Sequence, residues 1–225
     1  MMALFSSIFS RDNVLFLLAG MRTTIVIAAS TILIALFFGT ILGLVRNYDH
    51  GILGKLSAVY IETFRNTPLI LWILAIRFLV PIPAFYSGIL SMSIFTTAIM
   101  AEVVRGGLNS INKGQFEAAY SQGFGFFQTL RFIIIPQCFK NIVPSLLSQM
   151  ITTVKDTSFL WAVAIEEFTG KGMILMGRFA SSTQVFILFA FMAGMYFIIN
   201  FTLSSIVRRQ NTKGQSLKKP VLVEA

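Results

Sequence analysis

The sequence predicts an all-α membrane protein with five transmembrane helices. Three observations point there. Of 225 residues, 56% are hydrophobic and 12% charged, with a mean hydropathy of +0.79. A soluble core has no use for that much apolar surface. Uncharged apolar runs recur at lengths able to cross the ~30 Å hydrocarbon core. The cationic residues gather in the stretches between those runs.

Residues 1–22 are mixed: Met1 to Phe9 is weakly amphipathic, and Arg11 and Asp12 break it. They read as an interfacial N-terminal segment. No basic start leads into a small-residue cleavage pattern, so the first long apolar run reads as a retained span. That span covers 23–45, where Gly39 and Gly43 form a small-xxx-small pair suited to close helix contact. Residues 46–55 form a polar loop. Its His50 has no second His, Cys or carboxylate at ligand spacing, so a solvated loop residue is the reading. The second span, 56–80, is unusual in holding Glu62, Arg65 and Arg77 as well as Pro68, and Pro81 and Pro83 end it. The third, 89–104, closes on Glu102 and Arg105.

Asn112 to Pro136 then interrupts the apolar chain with a polar, small-residue-rich stretch. Asn112 is placed to cap a short helix, and Gln115 to return the capping bond. Glu117 falls in the first turn, where the helix dipole favours a carboxylate. Ala118 and Ala119 are strong helix formers with a smooth surface. Gly123 and Gly125 read as stop signals. A fourth span runs from about 136 to 154 and leads into Lys155, Asp156, Thr157 and Ser158. The apolar stretch 159–165 is too short to cross and reads as re-entrant or interfacial, with Trp161 as an interface anchor. Residues 170–177 read as a loop. The last span is 185–207, with a basic tail behind it. The domain reading is therefore 1–22 interfacial, 23–208 membrane domain with the polar loop at 106–136, and 209–225 tail.

Lys and Arg set the orientation. Arg46, Lys55, Arg105, Lys113, Arg131, Lys140 and five more from residue 208 onward fall on one side. Arg11, Arg22, Lys155, Lys171 and Arg178 fall on the other, partly balanced by Asp12, Asp156, Glu166 and Glu167. The first side reads as cytoplasmic. The N-terminus is then outside and the C-terminus inside. The net charge of +9 reflects these loops and not nucleic-acid binding. The lone Cys138 cannot form an internal disulfide and says nothing of the redox compartment.

The polar stretch resembles the EAA motif of permease subunits of ABC-type importers: Glu-Ala-Ala, three residues, Gly, nine residues, Ile, one residue, Leu-Pro. Here Glu117-Ala118-Ala119 is followed by Gly123, Ile133 and Ile135-Pro136, with Ile135 in place of Leu. On either side, Tyr60 to Leu69, Ala101 to Gly107, Lys113 to Gln115 and Lys155 to Ser158 are similar to segments of polar amino acid permeases (histidine, glutamate, glutamine, arginine). The resemblance covers roughly residues 20–208. Gln122 departs from it, standing where an apolar residue is usual, and Arg77 stands where a neutral one is common.

The resemblance implies the type I ABC importer permease fold and a permease subunit for polar amino acids in a bacterial plasma membrane. It implies a second permease subunit, the same or related, two ATP-binding cassette subunits and an extracytoplasmic amino acid-binding protein. ATP and Mg would sit on the ATPase, with no cofactor, metal or catalytic residue in this chain. Consistently, Gly54-Lys55 and Gly170-Lys171 lack a phosphate loop around them. Gly114, Gln115, Glu117, Ala118, Ala119 and Gly123 would form the ATPase-coupling element, the two alanines permitting close seating in an ATPase cleft. A zwitterionic substrate needs a cation and an anion. Arg77 or Lys155 fits its carboxylate and Asp156 its amine, with Thr157 and Ser158 beside them. Glu62 with Arg65, and Glu102 with Arg105, read as two sets of gate or structural ion pairs. The alternative is an ATP-independent channel or secondary transporter, which should show inverted repeats; no repeat relates the two halves. The isolated His50 argues against a membrane enzyme.

Overall fold

The computed structural model describes the backbone of residues 2–216 and the side chains of residues 5–205. Ten α-helices order them: α1 Met2–Ile8, α2 Arg11–Tyr48, α3 Ile52–Arg65, α4 Leu69–Leu79, α5 Ala84–Asn109, α6 Gly114–Ser121, α7 Phe126–Thr129, α8 Ile135–Asp156, α9 Phe168–Met176 and α10 Ser182–Ser216. A π-turn, Leu130–Ile134, joins α7 to α8, and a 3₁₀ turn, Thr157–Val163, follows α8. The fold is an all-α membrane protein.

Among the described residues four helices are long and apolar enough to cross a bilayer: α2, α5, the run Phe126–Val163 containing α8, and α10 over Ser182–Ser205. The expected second span is instead two shorter helices. Pro68 has no N–H to donate and disfavours a helical residue before it, so the chain turns at 66–68 and Pro68 is extended, with φ −66° and ψ 135°. The break is braced. The Trp72 Nε1–H donates to Thr67 Oγ1 at 2.7 Å, and the Phe64 ring lies 4.2 Å from that of Trp72.

Three other segments differ from the sequence reading. The first span starts at Arg11 and not Thr23, because Ser10 caps it by accepting the Asn13 N–H at 3.3 Å. Leu17 and Met21 are buried there with Ile8, Phe168 and Leu188. The 159–165 stretch lies within and just beyond the 3₁₀ turn, with Leu160 and Val163 buried among Ile27, Leu69, Ile73 and Met92. The 170–177 loop is mostly helix α9, capped by Glu167. The tail expected over 209–225 begins inside α10, and 217–225 lie outside the described residues.

α2 and α5 pack tightly along their length. A Cβ on Gly39 would stand 2.6 Å from the Met100 Cβ, and one on Gly43 2.7 Å from the Ala101 carbonyl oxygen. No larger residue fits either place without moving α5. The small-xxx-small spacing therefore sets the α2–α5 contact. α8 lies against α5 and α10, and α9 against α2.

Candidate functional site

The polar loop folds as α6, a turn and α7. Asn112 Oδ1 accepts the Gly114 N–H at 2.8 Å, so Asn112 does hold the start of the helix. The reciprocal bond expected from Gln115 is absent. Its Oε1 accepts from the Gln137 side chain at 3.1 Å and ties α6 to α8. At the other end Gly123 has φ +83°, the left-handed conformation a side chain disfavours. The Gly123 N–H donates to the Tyr120 carbonyl at 2.9 Å and the Phe124 N–H to the Ala119 carbonyl at 3.1 Å. This pair of bonds is a Schellman motif, which satisfies the last carbonyls and turns the chain back. Gly125 does not stop the helix; it opens α7, its N–H held by Gln128 Oε1 at 2.9 Å.

The two alanines point opposite ways. Ala119 is 2% exposed, whereas Ala118 is exposed with Gln115 and Glu117. Ala119 seats α6 on its own chain. Behind it, the Phe116 ring lies 6.3 Å from Tyr48 at the end of α2, and Tyr48 lies 5.4 Å from Phe126. Phe116 also packs on the cluster of Val104, Leu108, Leu130, Ile134, Cys138 and Ile142. α6 is therefore joined to α2, α5 and α8 at once, while a smooth face of Ala118 and its neighbours is open.

The two expected acid–base sets are one network. Arg46, read as a loop residue, belongs to the last turn of α2 and supplies the link. Its Nη2 is 2.6 Å from Glu62 Oε1, and its Nη1 is 3.5 Å from Glu102 Oε2. Arg65 Nη1 is 3.7 Å from the same Glu102 oxygen, and Arg105 grips Glu102 through Nε and Nη2. Three guanidinium groups surround two carboxylates, tying α2, α3 and α5 together. No sequence spacing predicts Arg46 as a partner, because it is 16 residues from Glu62 and on another helix.

Arg77, Lys155 and Asp156 stand apart from this. Arg77 closes α4, and its Nε is buried without a hydrogen-bond partner. Lys155 is exposed and Asp156 half-buried at the end of α8. Among the described residues none of the three is in an ion pair. Thr157 is buried and bonds back to the Val154 carbonyl at 2.8 Å, while Ser158 is half-buried. The structure brings Lys155 to Ser158 together as consecutive residues but records no bond from them to Arg77.

Sequence reasoning missed Glu167. Read as an outer-loop charge, it is 0% exposed. Its Oε1 accepts the Gly170 N–H at 2.7 Å, and its Oε2 accepts from Thr24 Oγ1 at 3.1 Å and from the Tyr196 hydroxyl at 3.2 Å. It thereby joins α2, α9 and α10. The signal was present: a carboxylate three residues before Gly170, at the head of an apolar run, is a helix cap. Glycines at 170, 172 and 177 made that run look like a loop. No cluster of His, Cys, Asp or Glu able to hold a metal ion occurs among the described residues.

Known proteins share this architecture. The family described as binding-protein-dependent transport system inner membrane component matches residues 35–213. The probable glutamine ABC transporter permease protein GlnP of Bacillus subtilis (strain 168) is 37% identical over 210 residues, which is 91% of this chain and 96% of that protein. The glutamine transport system permease protein GlnP of Escherichia coli (strain K12) is 30% identical over 201 residues, 86% of this chain and 90% of that one. A crystal structure of an amino acid ABC transporter with histidines superposes with a TM-score of 0.80 at 26% identity, covering 90% of this chain and 95% of the other. An inward-facing structure of the MetNI methionine ABC transporter has a TM-score of 0.74 at 17% identity, covering 89% and 99%, and shows the shared fold.

Proposed function

The chain belongs to the family of binding-protein-dependent transport system inner membrane components, and from that membership we propose that it is the pathway-forming permease subunit of an ATP-driven ABC importer for polar amino acids. The observation that carries the reading is α6. It is a short helix held from behind on three sides and open at Ala118, which is what a socket-and-helix joint to a separate ATPase requires. Two ATP-binding cassette subunits, which hold ATP and Mg, would seat on the α6 helices of a permease pair. An extracytoplasmic amino acid-binding protein would deliver cargo to the opposite face. α6 and the last turn of α2 would be cytoplasmic, with the N-terminus outside and the C-terminus inside.

The mechanism follows from the connections. Closure of the ATPase would displace α6. The Gln115–Gln137 bond and the Phe116 contacts pass that displacement to α8, and Tyr48 passes it to α2. The Arg46–Glu62–Glu102–Arg65–Arg105 network would act as the gate or brace, holding α2, α3 and α5 in one of two arrangements. Coupling of this kind requires the ATPase and the substrate each to bind the two arrangements unequally. Charges left unpaired in a membrane domain face a cavity or a partner. Lys155 or Arg77 would meet the substrate carboxylate and Asp156 its ammonium, with Thr157 and Ser158 beside them.

The test is uptake. The permease, reconstituted in vesicles with its ATPase and binding protein, is offered glutamine, glutamate, histidine and arginine with and without ATP. ATP-dependent accumulation of at least one is expected. Accumulation without ATP would instead identify a secondary transporter.

A further inference from the structure

A groove of about 750 Å³ lies between the end of α2 and the run that leads into α8. α2 contributes Leu44 and Val45 to its lining, and the other run contributes Leu130 and Ile135. Both belong to helical stretches long and apolar enough to cross a bilayer. On the loop side stand Tyr48 and Phe126, whose rings meet edge to face at 5.4 Å, and Phe127. Leu130 and Ile134 of the π-turn fall inward to the core, so Arg131 and Phe132 turn outward together. Phe127 is 83% exposed and Phe132 62%.

The charge at this groove is not balanced. Arg131 is exposed and, among the described residues, makes no ion pair. Its guanidinium carbon stands 5.6 Å from the centre of the Phe132 ring, a contact that does not use its five N–H donors. Asp49 also lines the groove, but its carboxylate is engaged elsewhere. Oδ1 accepts the Gly51 N–H at 2.7 Å and Oδ2 the Gly54 N–H at 2.9 Å, so it holds the start of α3. Exposed aromatic rings and a long-stemmed cation at the end of an apolar span are the make-up of a bilayer interface. A soluble partner does not reach walls set in the spanning helices themselves. An acyl chain lies at that depth.

We propose that the groove binds an anionic phospholipid of the leaflet on the α6 side, its acyl chain along Leu44, Val45, Leu130 and Ile135 and its phosphate against Arg131. Phe127 and Phe132 then sit in the headgroup region. The planar guanidinium fork suits a phosphate and, with Asp49 engaged, leaves a net positive site. One such cation near the surface corresponds to a roughly fivefold preference for an anionic headgroup. Tyr48 also packs on Phe116 of α6, so the lipid abuts the ring that ties α6 to α2. The site rests on the membrane fold and not on the cargo or the ATPase, so its failure would leave the permease reading untouched.

Bromine on a lipid chain quenches a nearby tryptophan, which reads the site without transport. The Phe127→Trp permease, assembled with its ATPase subunits, is reconstituted in vesicles of equimolar phosphatidylcholine and phosphatidylglycerol, with bromine on the chains of one lipid at a time. The signal of Trp72, Trp161 and the partner subunits is measured with the unsubstituted chain and subtracted. Quenching by brominated phosphatidylglycerol at least twice that by brominated phosphatidylcholine is expected. Adding Arg131→Gln to the same chain should make the two equal. Equal quenching before that change, an excess that survives it, or no quenching by either lipid would overturn the proposal. So would an excess seen in the permease alone and abolished when the ATPase binds, since the groove would then be a seat for that subunit.

Discussion

Two breaks in the helical chain invite comparison. One lies between α5 and α8 and contains α6; the other lies between α8 and α10 and contains α9. Both are built from a short helix, both are reset by a left-handed residue (Gly123 at φ +83° and Ala164 at φ +60°), and both touch α2. They are completed in opposite ways. The second is finished within the chain: Glu167, fully buried, accepts from Thr24, Gly170 and Tyr196, and Phe168 and Leu175 lie in a core cluster. The first is finished only on its rear side. Phe116 and Ala119 face the chain and Gln115 bonds to Gln137, while Glu117 and Ala118 are exposed. The difference separates a structural joint from a contact surface more sharply than glycine content does, since both stretches carry three glycines.

Substitutions should divide along that line. The largest effect on stability is expected at Glu167→Ala, which strands buried donors from Thr24, Tyr196 and the Gly170 N–H. A loss of about 3 kcal/mol is expected, visible as a lower unfolding temperature in detergent. An unchanged melting curve would mean that the second break is not held as described. Gly123→Val comes next. A β-branched residue in the left-handed region costs about 1–2 kcal/mol locally. The Schellman turn should distort, the permease should still insert, and ATP-driven uptake should fall at least tenfold. Normal uptake in that variant would separate α6 from coupling.

How far these regions were legible in the sequence follows from the range of the interactions. The α6 helix, its Gly123 stop and the packing of Gly39 and Gly43 are local patterns, and each is present at the predicted residues. The break at Pro68 was also written locally, but the apolar run around it outweighed one proline in the reading. What could not be seen is what depends on distant partners. Arg46 finds Glu62 and Glu102 across two helices, Gln115 turns to Gln137 instead of capping its own helix, and Ala119 turns inward because Gly123 folds the chain behind it. Glu167 needed Thr24, 143 residues away, to reveal it as buried.

The ion network should give a smaller effect than either substitution above. Glu62 is half exposed, and solvent screens its pairing, so Glu62→Gln should change stability less than either of those substitutions. Its effect belongs in transport: if the network is a gate, basal ATP hydrolysis without binding protein should rise, and if it is only a brace, it should not.

The central claim is that α6 presents Ala118, and not Ala119, to a separate ATPase. Cross-linking in the membrane tests it most directly. Ala118→Cys and Ala119→Cys permeases are co-expressed with the ATPase subunit and treated with a short bifunctional thiol reagent. Ala118→Cys is predicted to join the ATPase in a band that weakens or strengthens with ATP, and Ala119→Cys to remain uncoupled from it. Absence of any product at position 118, or equal products at both positions, would contradict the account.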